Sequence, residues 1–242
     1  MSGFSEGRRQ AVHMSMALFA LALRYLAWWQ AAICAVAAFL FNLLVLPRLG
    51  GSSLYRPSDQ ARGYPLGILF YPLSVLTLIL AFPRRPDIVA ASWGILAVGD
   101  GLATIVGRRA GQRRLSWNPE KTVAGSLALA LGGGAAGVVL AAWTRPAVSP
   151  EPPLAFVLLA PFLAGAAAAL VESLRVRLDD NISVPIAAAI VLGALGLMDA
   201  ESAGAAAAWL PRAFPLALAV NVPVALLGWR AGSVSRSGAI AG

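Results

Sequence analysis

Four short segments carry the residues that could do chemistry in this chain, and each is set against long apolar runs. The first runs Gly99-Asp100-Gly101 and on through Ala103, Gly107, Arg108, Arg109 and Gly111. Steps of three, four and four put Asp100, Ala103, Gly107 and Gly111 on one helix face, a carboxylate above a strip with almost no side chains. Such a strip can be a plain small-residue helix contact. A carboxylate so close to two arginines in apolar surroundings is costly, however, unless a ligand or metal justifies it. The second segment is Asn118-Pro119-Glu120-Lys121-Thr122 with Gly125 and Ser126 following. Asn as N-cap with Pro at the first helical position predicts a helix start, and helix N-termini hold phosphate. Lys121 and the neighbouring Arg108, Arg109, Arg113 and Arg114 would add cations to such a cradle, although capping and interfacial charge alone would also explain them. No Gly-Lys-Ser/Thr pattern is present, so the segment is not a P-loop.

The third segment joins Glu172, at the end of an apolar run, to Asp179, Asp180 and Asn181 ahead of Pro185. Oxygen-only clusters of this kind suit Mg²⁺ shared with phosphate. A helix cap accounts for one of these residues and leaves the other Asp and Glu172 to be explained. The fourth is N-terminal: Glu6, Arg9 and His13, the single histidine of the chain. A lone histidine at a membrane boundary is more often interfacial than catalytic.

The elements that must position these groups are membrane helices. Of the 242 residues 59% are hydrophobic and 12% charged, and the mean hydropathy is +0.74. That is too apolar for a soluble domain, and a span needs only about 20 apolar residues to cross roughly 30 Å of hydrocarbon. Apolar runs over 11–26, 29–46, 64–82, 88–106, 122–143, 154–174, 184–198 and 209–227 predict an all-α, polytopic fold with seven to eight transmembrane helices, the first and seventh being short. The net charge of +8 sits in loops between these runs, which argues for topology signals and against nucleic-acid binding. Cys34, the single cysteine, lies inside an apolar run and is expected to pack there, with no disulfide or cysteine metal site. No cleavable signal peptide is expected.

Assigning loops alternately to the two faces puts Arg24, Arg84, Arg85, Arg145 and Arg212 on one side and the other 14 of the 19 basic residues on the opposite side. By the positive-inside rule the richer side is cytoplasmic, with both termini and all four polar segments facing it. Carboxylates for Mg²⁺, cations for phosphate oxygens and a helix N-terminus are the parts phosphoryl transfer needs.

The segments also resemble, in order, the motifs of the polyprenol kinase family: phytol kinases, dolichol kinases and CTP-dependent diacylglycerol kinases, relatives of the phosphatidate cytidylyltransferases. The Gly-Asp motif is similar to Gly99, Asp100, Ala103, Gly107, Arg108 and Gly111. The Asn/Lys-Ser/Thr motif is similar to Asn118, Lys121, Thr122, Gly125 and Ser126. The Glu with a later Asp-Asp-Asn is similar to Glu172, Asp179, Asp180, Asn181 and Pro185. The N-terminal pattern resembles Glu6, Arg9 and His13, but Gln10 stands where the family usually has Lys.

The resemblance implies a CTP-dependent kinase acting on a membrane lipid alcohol with Mg²⁺. Asp100, Glu172, Asp179 and Asp180 would be the metal ligands, with catalytic roles shared by Asp100, Glu172, Asp180 and Lys121. Gly99, Gly107, Arg108, Arg109, Gly111, Asn118, Lys121, Thr122, Gly125, Ser126 and Asn181 would bind the nucleotide. Expected partners are CTP, a lipid alcohol and the bilayer, in a chain whose oligomeric state is left open. The alternatives are a phosphatidate cytidylyltransferase, whose C-terminal Lys-Asp and Asp-Arg pattern is not found, and a small transporter or scaffold. Residues 1–230 read as the membrane-embedded domain. Residues 231–242 look similar to the start of a further membrane module, as in a truncated fusion.

Overall fold

The computed structural model describes residues 6–49, 66–175, 178–198, 200–235 and 238. The side chain of Glu6, and Arg56, Arg62, Arg177 and residues 239–242 of the tail, lie outside the described residues. The described residues hold eight helical stretches and no β-strand, apart from an isolated bridge between Arg114 and Thr122. We number them α1 Glu6–Ser15, continued by a 3₁₀ segment Met16–Arg24; α2 Trp28–Val45; α3 Leu66–Ala81; α4 Pro86–Ala110 and α5 Val123–Ala147; α6 Leu154–Ser173; α7 Asp180–Gly196; and α8 Ala200–Arg230.

Five of these are long and apolar enough to cross a bilayer: α2, α4, α5, α6 and the Ala207–Arg230 part of α8. α3 and α7 are apolar but shorter, at 16 and 17 residues. The expectation of seven to eight spans therefore exceeds the five that meet the length requirement. The first apolar run is not a straight span at all, because it divides into the short α1 and a 3₁₀ stretch of 9 residues.

The core forms where α4 lies between α5, α6, α7 and the 3₁₀ stretch. Small residues let these backbones touch. A Cβ on Gly99 would lie 3.1 Å from the Cα of Gly133, one on Gly137 would lie 2.9 Å from Pro161 Cβ, and one on Gly165 would lie 2.6 Å from Ala130 O. Helices in apolar surroundings associate through such close packing, since burial from water gives them nothing further. Both α4 and α5 carry a π-helical stretch, Ile95–Asp100 and Leu129–Gly133, and the two pack side by side. Such stretches commonly mark functional positions. By contrast α8 stands apart, with none of Ala207–Arg230 buried.

The two ends of the bundle differ. At one end Arg85 holds the fully buried Asp87 through two hydrogen bonds of 2.9 and 2.8 Å. There too Arg24 lies 4.5 Å over the Trp143 ring and Arg145 pairs with Glu151 at 3.2 Å. The other end, called the polar end below, gathers the segments singled out in the sequence.

Candidate active site

Asp100 closes the π-helical stretch of α4, and its position corrects the spacing argument. Gly99, Ala103 and Gly107, four apart, are the residues that face α5. Gly99 meets Leu129 and Gly133, the Ala103 carbonyl meets Gly125, and Gly107 meets Thr122 and Gly125. Asp100 is one residue round the helix from that strip and points instead to His13 of α1, whose Nε2 lies 3.5 Å from Asp100 Oδ2. The physical reason is the helical angle: steps of four repeat a face more closely than the step of three from Asp100 to Ala103. Gly111 also lies against Thr122, where a Cβ would approach its side chain to 2.7 Å.

The helix after the basic loop starts later than its sequence suggests. Thr122, not Asn118, is the N-cap of α5, accepting a hydrogen bond from Gly125 N at 3.0 Å. Asn118 instead closes a turn, accepting from Glu120 N at 3.2 Å and donating from Nδ2 to Ser173 O at 3.1 Å. Trp117 Nε1 donates to Ser173 Oγ at 3.2 Å. These bonds fasten the loop to the end of α6, and they place Lys121 over Glu172. Lys121 Nζ donates to Glu172 Oε1 and, at 3.2 Å, to Asp180 Oδ2.

Asp179 caps α7. Its Oδ1 accepts from Asn181 N at 2.9 Å and from Asn181 Nδ2 at 2.8 Å. That leaves the next residue, Asp180, turned toward the lysine. Carboxylate oxygens from Asp100, Glu172 and Asp180 all lie within 4.8 Å of one another, while Asp179 is not part of this group. Glu172 is buried and Asp180 is half-buried. If ionised, the three carboxylates carry one more than twice the charge that Lys121 offsets, an excess suited to a hard divalent cation with oxygen ligands. Burial by itself would lower the affinity of Lys121 for its proton. Asp180 and Glu172 outweigh that effect and hold its pKa above the ordinary lysine value.

His13 extends the cluster. Its Nε2 lies 3.3 Å from Leu96 O; a carbonyl only accepts, so this nitrogen is the donor. The imidazole packs edge-on against Tyr71, with ring centroids 4.9 Å apart, and Tyr71 Oη accepts from Trp93 Nε1 at 2.8 Å. Tyr71 and Trp93 had no polar motif to announce them in the sequence. Gln10, where the resembled family has Lys, is buried beneath Gly101 with Met14 beside it.

Most of these groups, though not Asp100 or Gln10, line a cavity of about 1620 Å³. Arg9, His13, Lys121, Glu172, Arg175 and Asp180 line its polar end. Arg175 is a cation that sequence reasoning did not single out. Arg108 and Arg109 lie exposed at the end of α4 and are not among the lining residues, and neither are Gly99, Asp100, Gly107, Gly111, Thr122, Gly125 and Ser126; Asp100 reaches the site through its closeness to Glu172 and Asp180. Away from the mouth the walls turn apolar, made by the 3₁₀ stretch, α2 and α3. Cys34 faces this space and is exposed rather than packed.

The helices thus set a carboxylate–lysine cluster beside an apolar cavity. The chain is 37% identical over 147 residues to "Probable phytol kinase 2, chloroplastic" of Oryza sativa subsp. japonica, covering 55% of this chain and 44% of the relative. It is 34% identical over 170 residues to "Probable phytol kinase 2, chloroplastic" of Glycine max, covering 65% and 53% respectively. It is 33% identical over 144 residues to "Farnesol kinase, chloroplastic" of Arabidopsis thaliana, covering 57% and 45%. The chain is thus related to the phytol and farnesol kinases, the family its polar motifs resemble, and it spans about half the length of these curated relatives. No family model matches the chain, and no solved structure does.

Proposed function

We propose that the chain transfers the γ-phosphate of CTP to the hydroxyl of a membrane lipid alcohol. The observation that carries this reading is the cluster of Asp100, Glu172, Asp180 and Lys121, of which Lys121, Glu172 and Asp180 line the mouth of an apolar cavity. Support for the reaction class comes from relatives named as phytol and farnesol kinases. Support for CTP comes from the likeness of the motifs to those of CTP-using enzymes.

In this reading Asp100, Glu172 and Asp180 would hold Mg²⁺, which would supply positive charge to phosphate oxygens during transfer. Lys121 keeps the carboxylates from repelling one another and presents its remaining proton to a phosphate oxygen. Arg9 and Arg175 add positive charge at the same mouth, and Arg108 and Arg109 stand on the neighbouring surface. The apolar walls hold the acceptor so that its hydroxyl meets the cluster, which makes catalysis a matter of positioning and charge. The hydroxyl oxygen bonds to the γ-phosphorus, CDP leaves with the bridging oxygen, and the hydroxyl proton is lost to a base. The cytoplasmic side is proposed for the polar end. Arg24, Arg85 and Arg145 sit at the opposite end, the partition that loop alternation and the positive-inside rule give.

The test is product analysis with purified protein, γ-labelled CTP or ATP, and phytol, farnesol or diacylglycerol. A labelled lipid phosphate with CDP supports the proposal. In a parallel reaction with phosphatidate as acceptor, label in pyrophosphate with formation of a CDP-lipid would replace it by the cytidylyltransferase reaction, and label transfer from ATP alone would overturn the choice of donor.

A further inference from the structure

The cavity continues well past the reacting groups, and its far part has walls of unequal character. The 3₁₀ stretch contributes large side chains, Met16, Phe19 and Leu23, and α3 contributes Tyr71, Val75 and Ile79. The face of α2 between them is nearly bare, because Ala31, Cys34, Ala35 and Ala38 recur there at three- and four-residue steps. The strip is one helix face wide. It begins at Phe41 and Asn42, near the polar mouth, and reaches Ala31, close to the end of the bundle marked by Arg24.

From Asn42 to Ala31 is about 16 Å at the helical rise of 1.5 Å per residue. That is roughly half of the ~30 Å hydrocarbon thickness, so the groove is about one leaflet deep. Its mouth also offers an orphan acceptor. Asn181 is 8% exposed, lines the cavity, and its Oδ1 has no hydrogen-bond partner among the described residues. A buried amide oxygen in that state calls for a donor such as a hydroxyl.

We infer that this face of α2 is a gauge for the acceptor. The single hydrocarbon chain of the alcohol lies along Ala38, Cys34 and Ala31 with its hydroxyl at Asn181 and the carboxylate cluster, and the bulk at these positions sets the longest chain accepted. The inference rests on the proposed kinase reading for its catalytic readout and on Cys34 for an independent one.

Two positions on the strip are exposed, Ala38 nearer the mouth and Cys34 one turn deeper. Ile33 is 60% exposed, does not line the cavity, and serves as the control. In detergent, kcat/KM is measured for geraniol, farnesol and phytol with wild type, Ala38→Trp, Cys34→Trp and Ile33→Trp. The expected result is graded. Phytol is lost in both Ala38→Trp and Cys34→Trp, the cut-off falls at a shorter chain in Ala38→Trp than in Cys34→Trp, and Ile33→Trp keeps the wild-type order. Equal losses for all three alcohols, or none, in folded Ala38→Trp and Cys34→Trp overturn the gauge.

The second readout needs no turnover, since Cys34 is the chain's one cysteine. Alkylation of wild type by N-ethylmaleimide is expected to slow severalfold with phytol and hardly at all with the five-carbon alcohol prenol. Protection by phytol in a protein that transfers no phosphate would reject the kinase reading and keep the groove. An alkylation rate unaffected by phytol, or slowed more by diacylglycerol, rejects the groove.

Discussion

Replacing Lys121 by methionine removes the cation that joins two carboxylates, and its effect can be worked from the site. The Glu172 side chain is 5% exposed, whereas that of Asp180 is 39% exposed and that of Lys121 27%. Removing one partner of a buried pair costs about 3–5 kcal/mol, because the other charge is left without compensation. The more exposed Asp180 contact adds at most about 1 kcal/mol. Water reaches the lysine, so the lower end applies and the expected loss is about 3 kcal/mol. For a chain of this size that corresponds to roughly 6–12 °C in Tm. The assay is thermal unfolding in detergent with EDTA present. Adding Glu172→Gln to Lys121→Met removes the orphaned charge, so the double variant should be clearly more stable than the single. A shift under about 2 °C, or a double variant that merely adds two losses, would refute the claim that Lys121 offsets the carboxylates.

Three further outcomes follow from the same geometry. Mg²⁺ should raise the Tm of the wild type, by about 2.7 kcal/mol of stability at a hundred times its dissociation constant. Asp100→Asn should blunt this, and an equal response from the two proteins would count against the metal site. At the far end, Arg85→Met strands the fully buried Asp87; it should cost about 3–5 kcal/mol yet leave KM for the nucleotide unchanged in protein that remains folded, a KM shift being the contrary result. The pH profile has a definite sign. The folded pKa of Lys121 lies above its ordinary value of 10.5, so its stabilisation is complete below that value and is lost as pH rises through the folded pKa. The stability difference between wild type and Lys121→Met should therefore be flat from neutral pH to about 10 and shrink above. A difference that grows with alkalinity would contradict this.

Helices were legible because composition and run length decide them in a bilayer: all eight apolar runs correspond to helical stretches. Their lengths were less so, since α3 and α7 fall short of a full span and the run at 11–26 breaks into α and 3₁₀ parts. At the site, charge alternation put four distant segments on one side, and the structure brings Asp100, Lys121, Glu172, Asp180 and His13 together. What spacing could not show is local. The residue that caps α5 is Thr122 because Asn118 spends its side chain on Ser173 and Glu120. The partners that fix His13, Tyr71 and Trp93, are aromatic residues within apolar helices, where nothing in the sequence separates them from packing residues. Arg175 read as one more basic loop residue until the cavity showed which loop cations share a space with the carboxylates.

In the proposed reaction one cluster at the polar end performs the transfer. Its most direct test is the initial rate of label transfer from γ-labelled CTP to phytol by wild type, Asp100→Asn, Glu172→Gln and Asp180→Asn, with Arg85→Met as the far-end control and folding checked for each. The three cluster variants should lose about a hundredfold or more, and the control should keep a near-normal rate per folded molecule. A folded cluster variant that transfers phosphate at the wild-type rate would contradict it.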